Sequence, residues 1–192
     1  CGTDDLVGAL VSAAAVVAKA HRGGTMTVGN IGREGGGDIP WSISHNSGRD
    51  ADLGFFLLGP DGRPFVPTNL VRLDGQGRGF IDGVHVRLDV RRTWRMVRAL
   101  LENPSVSIQW MFVSTKLKNI LLDHARKQKE PAQTVRKADE VLNQPHRARP
   151  HDDHIHLRIY CPSDDVLEGC RDKGSNRSWF QGHDDLIAAR AA

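Results

Sequence analysis

Two stretches of this 192-residue chain carry side chains of the type and spacing that bind a catalytic metal ion. In HNSGRDAD, His45 and Asp52 stand seven residues apart, with Gly48 between them to let the backbone turn. About a hundred residues later, HDDHIH holds His151, His154 and His156. His154 and His156 are two apart, so on a strand both point from the same face. His45, Asp52 and one of the later histidines would supply two nitrogens and one oxygen. Three protein ligands with a fourth position open to water is the arrangement of catalytic zinc rather than structural zinc.

That chemistry needs further groups. Zinc lowers the pKa of its water to about 7, a base must take the proton, and a donor must support the charge that develops on the substrate. Histidines of the second motif not used as ligands can do this work. Asp50, Asp152 and Asp153 are carboxylates able to orient the rings from behind. His21, His85, His124, His146 and His183 read as ordinary surface or core histidines. An HxH pair alone says little; it is the joint occurrence of HxxGxDxD and HDDHxH, in this order, that is restrictive.

The rest of the chain must position these groups. The length suits one domain spanning 1–192, with enough surface to bury a sizeable core. Hydrophobic content of 39% and charged content of 26% place it among soluble globular proteins. No run approaches the ~20 apolar residues of a membrane span. The longest, residues 6–18, follows Asp4 and Asp5 where a secretory signal would be basic, so it reads as a core helix. Any export signal is expected to have been removed. Arg87, Arg91, Arg92, Arg95 and Arg98, with Lys116, Lys118, Lys127 and Lys129, read mainly as solvated helix faces. Net charge is only +3 and no reader motif is present, which argues against nucleic acid as a partner.

Cys161 and Cys170 lie nine apart across a polar loop with Pro162 and Gly169, and are expected to pair. Such a bridge contributes roughly 2–3 kcal/mol on the chain-entropy model and implies an oxidising compartment. Cys1 is left over, to pair elsewhere or to carry a lipid anchor.

Pattern predicts a helix capped by Asp4 or Asp5 and running to Ala20, a strand over 25–30, and a glycine-rich loop over 32–37. A buried strand over 52–58 holds Asp52 at its mouth, and 60–67 is a turn-rich connection. Helices are expected over 93–102, from Ser114 to about 129, and over 131–142, with strands over 106–113 and 153–160. Trp41, Arg49 and the 35–37 loop are candidate cleft walls. The fold expected is α+β: a small antiparallel sheet carrying the site, packed against helices.

HNSGRDAD and HDDHIH together resemble the penicillin-insensitive murein endopeptidases, a branch of the metallopeptidase group that also holds lysostaphin-type and D-alanyl-D-alanine peptidases. The resemblance extends from about Thr25 to Cys170, including the Trp94, Val97, Leu100 helix and the HDDHxHxR strand running into a cysteine. It implies one zinc ion per chain on His45, Asp52 and His156, with His154 as catalytic base and His151 as a further active-site residue. It also implies the substrate, peptidoglycan cross-links between D-alanine and a diamino acid, and a periplasmic or secreted location. One departure is Ser42, where family members often carry a histidine three residues before the first ligand. The competing readings are a D,D-carboxypeptidase trimming terminal D-alanine and a non-catalytic cell-wall binding domain. HDDHxH in place of a Glu-x-x-His ending disfavours the first, and the spare histidines disfavour the second.

Overall fold

The computed structural model describes residues 1–183 apart from 24, 41, 43, 147, 175 and 181. In chain order its elements are α1 (Asp4–Ala20), β1 (Asp50–Gly54), β2 (Leu57–Leu58), β3 (Pro64–Phe65), β4 (Arg78–Ile81), β5 (Val84–Leu88) and α2 (Val90–Leu101). There follow β6 (Ile108–Phe112), α3 (Thr115–Lys127), α4 (Ala132–Val141), β7 (Leu142–Asn143), β8 (His154–Ile159) and α5 (Ser163–Leu167). The class is α+β, as expected.

One sheet runs β1-β8-β6-β7, with β8 antiparallel to both β1 and β6 and the short β7 parallel to β6. Alternation along β1 and β8 sends Ala51, Leu53, Ile155, Leu157 and Ile159 to one face, all buried. They join Leu100, Leu117 and Leu121 from the helices in one core. The opposite face carries Asp50 and Asp52 from β1 and His154, His156 and Arg158 from β8.

The helices form where periodicity placed them. Leu6, Ala9, Leu10, Ala13 and Val17 bury one stripe of α1, which packs against α2. Its cap is Thr3 rather than either aspartate: the Thr3 Oγ1 accepts the Leu6 N–H at 3.3 Å, and Asp4 and Asp5 sit in the first turn, where negative charge meets the positive end of the helix dipole. The second helix starts three residues before the expected position because Asp89 caps it, accepting the Arg92 N–H at 3.2 Å.

The strand pattern departs from expectation in three places. Residues 25–30 form no regular strand; a single bridge pairs Val28 with Leu53, and the segment lies along the outer edge of β1. The predicted strand over 52–58 is two strands in different sheets, with Asp52 in the middle of β1 rather than at a mouth. A continuous apolar run reads alike for both sheets, so only tertiary pairing separates them. Finally, a second antiparallel sheet, β3-β2-β5-β4, was not anticipated. Its hairpin turns at Asp82-Gly83, both at positive φ (52° and 78°), the requirement of a type I′ turn. The Asp-Gly signal was in the sequence, between the short strands RGFI and VHVRL, and could have marked the hairpin.

Candidate metal centre

The register of β1 and β8 builds the site. Asp52 pairs with His156, Asp50 with Arg158, and Gly54 with His154, so these side chains stand in facing rows on one side of the sheet. His45 arrives from the preceding loop. Gly48 makes this possible at φ +69°, with its carbonyl accepting the Thr3 N–H at 2.9 Å; a Cβ there would lie 3.2 Å from that nitrogen. Ser42, at the position of the family's further histidine, has a backbone role: its Oγ accepts the N–H groups of Ser44 (3.3 Å) and His45 (3.4 Å).

Three imidazole nitrogens converge on one oxygen. Asp52 Oδ1 lies 3.2 Å from His45 Nε2, 3.1 Å from His156 Nδ1 and 3.3 Å from His154 Nε2. Its other oxygen accepts the Asn30 amide at 3.1 Å. The second nitrogen of each ring is held by an acceptor. His45 Nδ1 bonds the Ile31 carbonyl, His156 Nε2 lies 3.0 Å from Asp50 Oδ1, and His154 Nδ1 lies 2.6 Å from Asp153 Oδ1. A carbonyl or carboxylate can only accept, so each of these outer nitrogens carries a proton, and the inner nitrogen, facing Asp52, is the one a metal ion would claim.

The His156 partner is itself anchored. Asp50 is fully buried and takes two hydrogen bonds from Arg158, Nε to Oδ1 and Nη2 to Oδ2, both at 2.9 Å. The same guanidinium reaches the Ser44 carbonyl at 3.1 Å, tying the His45 loop to β8. Phe112 stacks on the His156 ring, with centroids 5.6 Å apart and planes 16° apart. His151 lies edge-on to His154 at 5.2 Å and is positioned through its backbone: Gln144 Oε1 accepts its N–H at 3.1 Å, and its carbonyl accepts the Ser114 N–H at 2.8 Å. Its Nδ1 is buried with no hydrogen-bond partner among the described residues.

Charge follows this geometry. Burial works to raise the Asp52 carboxyl, but the hydrogen bonds from His156 and His45 and the nearby His154 hold it far below the usual carboxylate range. Burial works against charge on His156, yet Asp50 and Asp52 raise it above the ordinary imidazole value. Burial lowers His151 to about 4, helped by the neighbouring His154 and His156, so its ring is neutral around pH 7.

These residues fit a metal ion. His45, Asp52 and His156 are all buried and offer ligand atoms within 4.8 Å of one another; His151, His154 and His156 form a second, more exposed group meeting the same distance. The first group alone brings a carboxylate, and its two histidines have their outer nitrogens held by acceptors. The buried, unpartnered Nδ1 of His151 is a further group awaiting a bonding partner beside it.

All five site residues expected from the sequence are thus brought together. Asn30, Ser44, Phe112, Gln144 and the Ile31 carbonyl were missed, as they sit on separate elements with no shared motif. Arg158 was recoverable, since the alternation His154, His156, Arg158 marks one polar face of a strand. Three expectations need correction or limitation. Arg49 is no cleft wall: it is buried and ties the Ile159 carbonyl (3.0 Å) to Asp172 (2.9 Å). Asp152 orients no imidazole, since its Oδ1 has no hydrogen-bond partner among the described residues. Trp41 lies outside the described residues. The Cys161–Cys170 disulfide is formed.

Fold and site define an α+β protein whose sheet face carries a buried His/Asp cluster able to hold a metal ion. The family model of the penicillin-insensitive murein endopeptidases matches residues 2–178, and the chain belongs to that family of cell-wall peptidases. Comparison with curated protein sequences finds no match.

Proposed function

We propose that this protein is a zinc-dependent murein endopeptidase, working as one domain over 1–192 in the periplasm or outside the cell. It would hydrolyse the peptide bond between D-alanine and a diamino acid in peptidoglycan cross-links. The observation that carries the reading is the convergence of His45, His154 and His156 on Asp52 Oδ1, each within 3.3 Å, inside a chain of this family. His45 Nε2, Asp52 Oδ1 and His156 Nδ1 would hold the zinc. When bound, the ion supplies Lewis acidity toward the substrate carbonyl and lowers the pKa of water.

The chain's own residues supply the rest. His154 Nε2 takes the proton of the attacking water, while Asp153 on Nδ1 keeps the ring in the required tautomer and stabilises the imidazolium. His151, neutral at working pH, donates an N–H to the negative charge growing on the carbonyl oxygen. As the carbon–nitrogen bond breaks, His154 returns its proton to the leaving amine. Phe112 and the buried Asp50–Arg158 pair hold His156 still. A serine acyl-enzyme has no part in this route, so β-lactams that acylate serine should not inhibit.

Digestion of purified cross-linked murein, with chelation and zinc re-addition, tests the function. Dimeric muropeptides should fall to monomers, stop doing so after chelation, and resume with zinc. Release of terminal D-alanine alone would establish a carboxypeptidase instead, and intact murein with tightly bound zinc would establish a binding domain.

A further inference from the structure

Helix α1 is apolar on two sides. Its inner stripe, from Leu6 to Val17, is buried in the core. On the opposite side Asp4, Gly8, Val11, Ser12, Ala15 and Lys19 are all exposed, Val11 at 65%. At the pitch of an α-helix these six fall within about 100° of one another, facing away from the buried stripe. A helix at a protein surface ordinarily turns charged and polar residues outward. Here residues 6–18 carry no charged side chain at all.

Gly8 sharpens the point. Glycine is unfavourable in a helix interior relative to alanine, and nothing within the chain requires it here: a Cβ at Gly8 would meet no atom within 4 Å. What a bare backbone at this position does permit is close approach of something from outside.

The exposed stripe is also complementary to itself. Its spacing reads the same from either end, with gaps of four, three, one, three and four residues. A second copy laid antiparallel against it, about a two-fold axis passing between residues 11 and 12, sets Asp4 level with Lys19 of that copy and Gly8 level with its Ala15. Opposite charges then meet at both ends, and neither Asp4 nor Lys19 has an ion pair among the described residues. The small pair lets the backbones approach, Val11 packs beside the axis, and the two helix dipoles run in opposition. A lipid surface fits less well, since helices that lie in a membrane interface present large apolar and aromatic residues and a basic opposite face.

We infer that the outer face of α1 is the interface of an antiparallel, two-fold symmetric dimer of this chain. Each protomer brings its metal centre to the dimer's edge of α1, because the Thr3 N–H at the helix start holds the Gly48 carbonyl in the turn between His45 and Asp52. The inference stands independently of the endopeptidase reading.

A single pair of helices stands at the low end of specific interfaces, so dimers are expected at micromolar protein and above. Sedimentation of the full chain over a concentration series should show the shift from monomer to dimer. Gly8→Leu should abolish the dimer while leaving Tm of the monomer unchanged or raised, since leucine is the better helix former and meets no clash within the chain. Lys19→Glu should weaken the dimer, and adding Asp4→Lys should restore part of it. Nitroxide labels on Cys1, the free cysteine, should lie roughly 25 Å or more apart, the length of the helix. A wild type that stays monomeric overturns the interface, and flotation of that monomer with phospholipid vesicles would assign the face to lipid. A dimer indifferent to Gly8→Leu places the contact elsewhere, and labels in near contact overturn the antiparallel arrangement.

Discussion

Asp50 Oδ1 lies 3.0 Å from Nε2 of His156, a contact between residues 106 positions apart in the chain. The same carboxylate is clamped by Arg158 and excluded from solvent. A buried carboxylate held on both oxygens cannot rotate to follow the ring, so the ring must follow it. His156 is thereby left with a protonated Nε2, and with Nδ1, 3.1 Å from Asp52 Oδ1, as the nitrogen available to a metal ion.

Replacing Asp50 should therefore act through the metal. Asp50→Asn is expected to weaken zinc binding by about 10–100-fold, measured by chelator competition. It should also lower Tm, because Arg158 keeps its charge in a mostly buried position without a counter-charge. Adding Arg158→Met should recover part of the Tm and none of the zinc affinity. Unchanged zinc affinity in Asp50→Asn would remove the positioning role.

The histidines of β8 separate by function. His156→Ala should lose both bound zinc and turnover. His154→Ala should retain most of its zinc and lose about 10²–10⁴-fold in kcat, the usual contribution of a general base. Zinc content by metal analysis and turnover on murein, measured on the same preparations, check the pair. A fully active His154→Ala would assign the base elsewhere.

Metal-free and zinc-loaded protein should respond to pH in opposite directions. With its folded pKa raised above 6.5, His156 stabilises the metal-free protein fully below that value, and this contribution is lost as pH rises through the raised pKa. Asp52, held low, contributes above its ordinary value of 3.8 and loses that only in strong acid. As pH rises above 6.5 the chelated wild type should therefore lose stability relative to chelated His156→Gln. Zinc must displace the His156 proton, so the zinc-loaded wild type should gain stability over the same range. Tm against pH with chelator and with zinc measures both slopes; a chelated wild type gaining on His156→Gln as pH rises would contradict the charge assignment.

Much of the site was legible because its signals are local. The His45, Gly48, Asp52 spacing requires a turn that glycine permits, and the structure has Gly48 at positive φ. The period of a strand puts His154 and His156 on one face whatever their partners. Residue chemistry and short-range periodicity likewise placed α2, α3 and α4 to within a few residues, and the nine-residue spacing allowed the Cys161–Cys170 bridge.

What remained for the tertiary structure was everything that depends on pairing between distant segments. The β1–β8 register sets Asp52 opposite His156 across 104 residues, and no local pattern encodes a register between strands so far apart. Which nitrogen each histidine turns inward depends on acceptors from three separate segments: the Ile31 carbonyl, Asp50 and Asp52 on β1, and Asp153 just before β8. Arg49 and Arg158, alike in sequence, part ways because one meets Asp172 and the Ile159 carbonyl while the other meets Asp50. By itself the sequence determined the chemical kinds of the ligands and their order along the chain, since these rest on residue type and backbone period. Their convergence and their protonation were decided by long-range hydrogen bonds and burial, which exist only once the sheet is assembled.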